Sequence, residues 1–159
     1  MKRIINLKNL FVLAAALVLL NSCKKDELPA NSNLSGDRLT AGRLNGTWAS
    51  PRDIVTPETV PAEVFGGMRL VFTTDDTGNP SKFIAKNCPI IFTEATPADW
   101  SVTGAADSAK VKLTGISPVD DFDVKVSSNT LTLSFFMGWE NTDTKETGKG
   151  SFKVTLVRQ

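Results

Sequence analysis

Apolar and polar residues alternate along most of the second half of the chain, in the segments 110–115, 122–126, 130–136 and 151–158. In the second of these, Phe122, Val124 and Val126 are separated by single charged residues. Strict alternation of this kind predicts antiparallel strands that bury one face and expose the other to solvent. Residues 127–129 (Ser-Ser-Asn) stand between two such segments and are typical of a hairpin turn.

The first half of the domain contains shorter apolar segments at 46–50, 69–74, 82–86, 90–94 and 99–104. Turn-forming sequences separate them, so the chain predicts about nine strands spaced roughly ten residues apart. The predicted fold is therefore all-β: an antiparallel meander that closes into a small barrel of eight or nine strands, with a β-sandwich as the alternative. No segment shows a convincing helical face, and only residues 56–67 could contain a short turn.

A different pattern opens the chain. Lys2, Arg3 and Lys8 precede an apolar run from Leu10 to Leu20, which is eleven residues long. A helix that spans a membrane needs about 20 apolar residues. A short apolar run behind a positive start instead predicts a secretory signal peptide at residues 1–22. The alternative, a buried helix, would require a polar face that this run lacks.

The apolar run ends at Leu20-Asn21-Ser22-Cys23, which resembles the lipobox of bacterial lipoproteins. In that family the cysteine becomes the first residue of the mature chain and carries acyl chains such as palmitate. The resemblance therefore implies lipid attachment at Cys23 and a membrane as the first partner. Stable anchoring requires more than one acyl chain, and lipoproteins carry three. The alternative is an ordinary thiol near a conventional cleavage site.

The residues behind the cysteine bear on location. Lys25, Asp26 and Glu27 resemble the signal that directs Bacteroidetes-type lipoproteins to the outer face of the outer membrane. The resemblance implies an outer-membrane protein that faces the cell exterior; a merely solvated tether is the alternative, and both can hold together. Residues 23–39 are polar and contain Pro, Gly, Asn and Ser, which predicts a flexible, lipid-anchored linker. A single domain remains at 40–159.

Composition limits the chemistry of this domain. Removal of residues 1–22 leaves 15 basic and 17 acidic residues, a net charge of −2, which argues against nucleic acid as a partner. The chain has no His, and Cys88 lies beside apolar residues and is expected to be buried. We therefore expect no zinc or copper site and no cofactor. The acidic segments 75–79 and 120–123 also lack the spacing of a calcium loop.

Catalysis finds equally little support. The domain at 40–159 contains no S-x-x-K motif, and without His a serine nucleophile would need such a lysine. A glycosidase would need two converging carboxylates, and nothing in the sequence distinguishes one pair among the acidic residues. We therefore predict a protein that is not an enzyme, with a glycan-active enzyme as the least favoured alternative.

The ends of the domain carry a second resemblance. Gly46-Thr47-Trp48 matches the G-x-W motif of lipocalins, and Arg158 stands where lipocalins place the arginine that packs on this tryptophan. Over residues 44–159 the chain is similar to the lipocalin-like lipoproteins of Bacteroidetes. This implies a barrel closed by Trp48 and Arg158 that binds a small apolar ligand. Inward aromatic residues could equally fill the barrel, which is favoured because protein interiors are close-packed. These residues are Phe72, Phe122, Phe135 and Phe152.

Two further positions are candidates for contact with a glycan or a partner. Trp139 precedes a polar loop and could stack on a sugar ring or contact a protein; the alternative is a tryptophan that caps the barrel end. Asp107-Ser108-Ala109 resembles the acceptor sequence for O-linked glycans on Bacteroidetes envelope proteins, which implies modification of Ser108. These features support a second function, an accessory or structural envelope lipoprotein that binds glycan or protein through its outer surface.

Overall fold

The computed structural model describes residues 35–88, 90–92, 97–105 and 107–159. Eight antiparallel strands follow one another in chain order, and the pairing of the last with the first closes them into a barrel. The predicted antiparallel barrel is confirmed, and the β-sandwich alternative is wrong. The strands are β1 (Gly46–Val55), β2 (Arg69–Thr74), β3 (Pro80–Lys86), β4 (Ala98–Ala105), β5 (Ser108–Leu113), β6 (Asp121–Val126), β7 (Thr130–Glu140) and β8 (Thr147–Arg158).

The predictions for the first part of the chain lie outside the described residues. They concern the signal peptide at 1–22, lipid attachment at Cys23 and the export signal at Lys25, Asp26 and Glu27. Within the described residues, no helix has the length and apolar character that crossing a membrane requires.

Alternating burial in the strands matches the predicted pattern. In β6 Phe122, Val124 and Val126 are buried while the residues between them are exposed. The predicted hairpin turn at 127–129 is present, and the Ser127 amide donates to the Thr130 carbonyl over 2.9 Å. The register between β7 and β8 is continuous over eleven residue pairs, so the two longest strands form one uninterrupted hairpin. Period-two alternation is reliable here because one face of each strand is buried and the other is wet.

One predicted strand, 90–94, is absent from the described part of that segment. Residues 90–92 form a turn, and Phe92 makes only an isolated bridge to Pro118. Ile91 and Phe92 are both buried although they are neighbours in sequence. Consecutive burial is incompatible with a half-exposed strand. The apolar run is instead a plug in the connection between β3 and β4, and the barrel has eight strands rather than nine.

An unpredicted helix precedes the barrel. This helix, α1 (Gly36–Leu44), includes residues 36–39 of the predicted linker. Its apolar face is short, because only Thr40, Ala41 and Leu44 are buried. Tertiary contacts hold it instead: the Asp37 carboxylate accepts a hydrogen bond of 2.8 Å from the Gly104 amide. The Ser35 side chain accepts from the Arg38 amide at its start, as expected of an N-cap.

The loops divide between the two ends of the barrel. At the end where β1 begins, α1 lies beside the turns that join β2 to β3 and β4 to β5. At the opposite end, which we call the rim, the connection from β1 to β2 contains a short 3₁₀ helix, Ala62–Phe65. This helix confirms the turn that the sequence allowed within 56–67. Its Phe65 is fully buried and lies 6.0 Å from the Phe152 ring, so the connection folds over the inner face of the sheet.

Aromatic side chains fill the barrel. Phe83 is at the centre of the cluster, with its ring centroid 5.0 Å from Phe72 and 5.3 Å from Phe92. Phe135 and Phe152 stack with a centroid separation of 5.3 Å. The four residues that were predicted to fill the interior, Phe72, Phe122, Phe135 and Phe152, are all buried. Offset and edge-to-face packing of this kind is favourable beyond the apolar area it buries.

Candidate functional site

Trp48 and Arg158 meet where the first and last strands pair. Their Cα atoms are partners in the β1–β8 register, and the Arg158 guanidinium lies 4.2 Å from the centroid of the indole. The Trp48 Nε1 donates to the Leu44 carbonyl over 2.7 Å. Gly46 has a φ of 128°, and a Cβ at this position would lie 2.8 Å from Arg158 Nη1. The glycine of the G-x-W sequence therefore leaves the space that the guanidinium occupies.

The Arg158 guanidinium also joins three backbone segments at this end of the barrel. Nε donates to the Ser128 carbonyl over 2.9 Å, and Nη1 donates to the Asn45 carbonyl over 2.7 Å. Nη2 donates to the Arg43 carbonyl at the end of α1. A planar guanidinium holds its five donors in a rigid, spread fork, whereas the donors of a lysine are all on one nitrogen. Arg158 thus links α1, the turn between β6 and β7, and the closing strand pair.

An apolar cleft of about 440 Å³ lies at the rim. Its walls are the end of β7 with the following turn, the connection that carries the 3₁₀ helix, and Ile90 of the plug. The apolar lining residues are Val60, Pro61, Val64, Ile90, Met137 and Trp139. Two of them expose a large fraction of their surface, 39% for Val64 and 44% for Ile90. Apolar side chains left open in a concavity of this size are typical of a ligand site.

Trp139 forms one wall of the cleft. Trp139 is half-buried, packs against the barrel core and faces Gly148 across the β7–β8 hairpin. A Cβ at Gly148 would lie 2.4 Å from the indole Cζ2, so only glycine permits this close approach. The indole Nε1 is shielded from solvent and has no acceptor among the described residues. A buried donor without an acceptor costs about 1–3 kcal/mol, a cost that the packing of the indole has to offset.

Asp75 stabilises one of the acidic turns through hydrogen bonds. The Asp75 carboxylate accepts hydrogen bonds from the Thr77 and Asn79 amides at 2.9 and 2.8 Å and from the Thr77 hydroxyl at 2.7 Å. These bonds, the Thr77 hydroxyl foremost, lower the pKa of Asp75 to about 2. The carboxylate therefore organises the turn between β2 and β3. Among the described residues, no three side chains of His, Cys, Asp or Glu form a cluster that could hold a metal ion.

The other candidate residues are dispersed. Ser108 is the exposed first residue of β5, at the end of the barrel opposite the rim, and its modification stays a prediction. Cys88 is buried, and its thiol donates to the Lys86 carbonyl over 3.3 Å. Sequence reasoning singled out Trp139 but missed Val60, Val64, Ile90 and Met137. Only the consecutive apolar residues at 90–92, which break the alternation, were a signal that this segment does not lie in the sheet.

Comparison of the chain with protein-family models, with curated proteins and with solved structures found no match. The likeness to lipocalins therefore rests on the eight-stranded closed antiparallel barrel, which is consistent with a lipocalin-like fold. The barrel is compatible with ligand binding.

Proposed function

We propose that this protein is a non-catalytic binding domain whose ligand site is the cleft at the rim, and that the cleft takes a small apolar ligand or apolar group. The observation that carries the proposal is the contrast between the barrel interior, which is packed with aromatic side chains, and the open apolar cleft beside Trp139. A guest inside the barrel would have to displace the Phe83 cluster, whereas the cleft receives a guest without repacking.

Size and chemistry support the same site. A cleft of about 440 Å³ is within the usual range of small-molecule sites, roughly 300–1,000 Å³. Its lining is mostly apolar, and the polar members are Thr59, Glu140, Asn141 and Thr142, which suits a mainly apolar guest. The chain contains no His, and the carboxylates of Asp123 and Glu140 are exposed to solvent and paired with lysines. Both features support binding without catalysis.

We expect Ile90→Asp to weaken binding of the neutral fluorescent probe 1-aminoanthracene about tenfold or more. The substitution places a charge in the cleft and removes an apolar contact worth ~1.5–3 kcal/mol. Titration of the probe measures the affinity. Leu39→Asp is the matched control, because Leu39 is 52% exposed on α1, near the opposite end of the barrel. Equal affinities for the two variants would refute the cleft as the site.

The same proposal includes the location of the protein. We propose that lipid on Cys23 holds the domain at the outer membrane, facing the cell exterior, as the lipobox and the Lys25-Asp26-Glu27 sequence imply. Without the first 22 residues the chain has a net charge of −2. This charge provides no overall attraction to anionic lipid, so the lipid on Cys23 is the proposed means of attachment to the membrane.

We expect cells fed labelled palmitate to label the wild-type protein and to leave Cys23→Ser unlabelled, because the diacylglyceryl group of a lipoprotein is attached through the thiol that serine lacks. Cys88→Ser is the control, since Cys88 is buried in the domain and should not affect labelling. Fluorography of the immunoprecipitated protein measures the label. Label that persists in Cys23→Ser, or that disappears in Cys88→Ser, would contradict lipid attachment at Cys23. Protease treatment of intact cells tests surface exposure.

A further inference from the structure

The end of β7 has a backbone edge that faces away from β8. The Asn141 amide donates to the Glu146 carbonyl, and the Arg158 amide donates to the Asn129 carbonyl, at the two ends of a continuous register. In an antiparallel pair, residues that bond across the pair alternate with residues whose backbone groups point the other way. The odd-numbered residues of β7 therefore bond to β8. The amides and carbonyls of the even-numbered residues point toward the side of β6.

Strand β6 covers only part of that side. The β6–β7 register ends at the pair Asp123–Ser134, whereas β7 continues to Glu140. The backbone groups of Phe136, Gly138 and Glu140 consequently have no partner strand among the described residues. Unpaired edge groups of this kind are a ready template for an additional strand.

The rim cleft reaches this edge. Met137 and Trp139 have the inward parity of β7, and Gly138 and Glu140 have the outward parity, yet all four line the cleft. The cleft therefore meets the backbone of β7 as well as its inner face. A strand added to this edge would point every second side chain toward the inner face, on the same side as Val64 and Ile90.

Three exposed carboxylates lie on the outer face beside the edge, where Lys149 is the cross-strand neighbour of Gly138. Asp120 and Asp121 are exposed at the start of β6, and Glu140 is exposed at the end of β7. Asp121 pairs with Lys110 at 3.8 Å and Glu140 pairs with Lys145 at 3.7 Å. Both contacts are long and solvent-exposed, so they neutralise the carboxylates only weakly. Cationic side chains on an added strand would be attracted to these carboxylates where they lie next to them.

We propose that the rim cleft binds an extended peptide segment of a partner protein, which adds as a strand to the edge of β7 at residues 136–140. One apolar side chain of the segment occupies the cleft, and the basic side chains on either side of it face Glu140 and Asp121. The inference rests on the proposed function, because it identifies the apolar group in the cleft as a side chain of a peptide.

The test uses the full-length lipidated protein in nanodiscs and a capped heptapeptide, Thr-Thr-Lys-Leu-Lys-Thr-Thr. Leucine and its two lysine neighbours then lie on opposite faces of the added strand. A second peptide has the same sequence, but the backbone amides that would point toward β7, which are those of every second residue, are N-methylated. We expect the unmodified peptide to bind about tenfold or more tightly than the methylated one, since methylation removes backbone donors and keeps every side chain.

Gly138→Pro is the complementary change in the protein. The Gly138 amide points to the open edge, so proline removes a donor that has no partner strand among the described residues. Lys149→Pro is the matched control, because Lys149 is the cross-strand partner of Gly138 and its amide points to the other edge of the hairpin. We expect Gly138→Pro to weaken peptide binding about tenfold and Lys149→Pro to leave it within twofold. Amide hydrogen exchange should show protection of Phe136, Gly138 and Glu140 when the peptide binds.

The outcomes separate this inference from the function on which it rests. Equal affinity for the two peptides, with 1-aminoanthracene still bound in the cleft, would overturn strand addition and leave the cleft as a small-molecule site. If the wild-type protein binds neither the peptide nor 1-aminoanthracene, both proposals are overturned. If the wild-type protein forms a dimer and Gly138→Pro dissociates it, the strand that adds to β7 comes from a second copy of the chain. The proposal of a peptide from a different protein is then overturned. If the proline variants do not fold, the comparison of the two peptides decides.

Discussion

Phe83→Ala is expected to lower the free energy of unfolding by about 3–5 kcal/mol. Phe83 is 1% exposed and packs against Phe72, Phe92 and Phe122. Its removal leaves a cavity between side chains that come from different strands and from the plug at 90–92. Such a cavity cannot close without moving several elements at once, so both the lost transfer energy and the cavity contribute. Urea denaturation of the wild type and the variant measures the difference.

Phe136→Ala is the control for this experiment. Phe136 carries the same side chain but is 63% exposed on the outer face of β7, so its truncation should cost less than ~1 kcal/mol. A loss for Phe83→Ala as small as that for Phe136→Ala would mean that the interior is loosely filled. The contrast between a packed barrel and an open cleft, which supports the rim as the ligand site, would then fail.

Trp48→Ala is expected to cost a similar amount, about 3–5 kcal/mol. Trp48 is fully buried where the barrel closes and bonds the carbonyl at the end of α1 through its indole donor. Without the ring, Arg158 loses the surface on which its guanidinium lies. Trp48→Phe is the matched variant, because it keeps an aromatic ring and removes the indole donor. It should lose less stability than Trp48→Ala.

A double-mutant cycle separates the stacking of Arg158 on Trp48 from its hydrogen bonds. The unfolding free energies of Trp48→Ala, Arg158→Ala and the double variant should give a coupling of ~0.5–2 kcal/mol. The three backbone carbonyls that Arg158 bonds account for the remainder of its single-variant loss. Strict additivity of the two substitutions would contradict an energetic role for the stack, whatever the geometry.

The two residues of this pair also show what local sequence can predict. The resemblance of the G-x-W sequence and the late arginine to lipocalins implied that the first and last strands meet, although the residues are 110 positions apart in the chain. Both the glycine and the tryptophan of the motif are needed, because Gly46 leaves space for the Arg158 guanidinium and the guanidinium packs on the Trp48 ring. The helix α1 was not predictable in the same way. Its apolar face is so short that its sequence looks like that of a polar linker. The contact of Asp37 with the Gly104 amide exists only once β4 has formed.

The cleft was only partly predictable for the same reason. Trp139 was noticed because it stands beside a polar loop, but its partners Val64 and Ile90 come from two other connections. An apolar residue in a connecting loop has no periodicity that could distinguish a core position from a ligand contact. The exposure of Val64 and Ile90 follows from how the 3₁₀ helix and the plug fold over the rim.

The alternation along the chain was enough to predict the antiparallel strands, their number to within one, and which side chains turn inward, because burial of one sheet face imposes a period of two on the chain. The filled interior and the position of the open apolar surface at the rim became known from the folded protein. Those properties depend on the packing of side chains that are distant in sequence, and on where a strand outlasts its neighbour. The unpaired edge of β7 arises in this way, since β6 pairs with it no further than Ser134 while β7 runs on to Glu140.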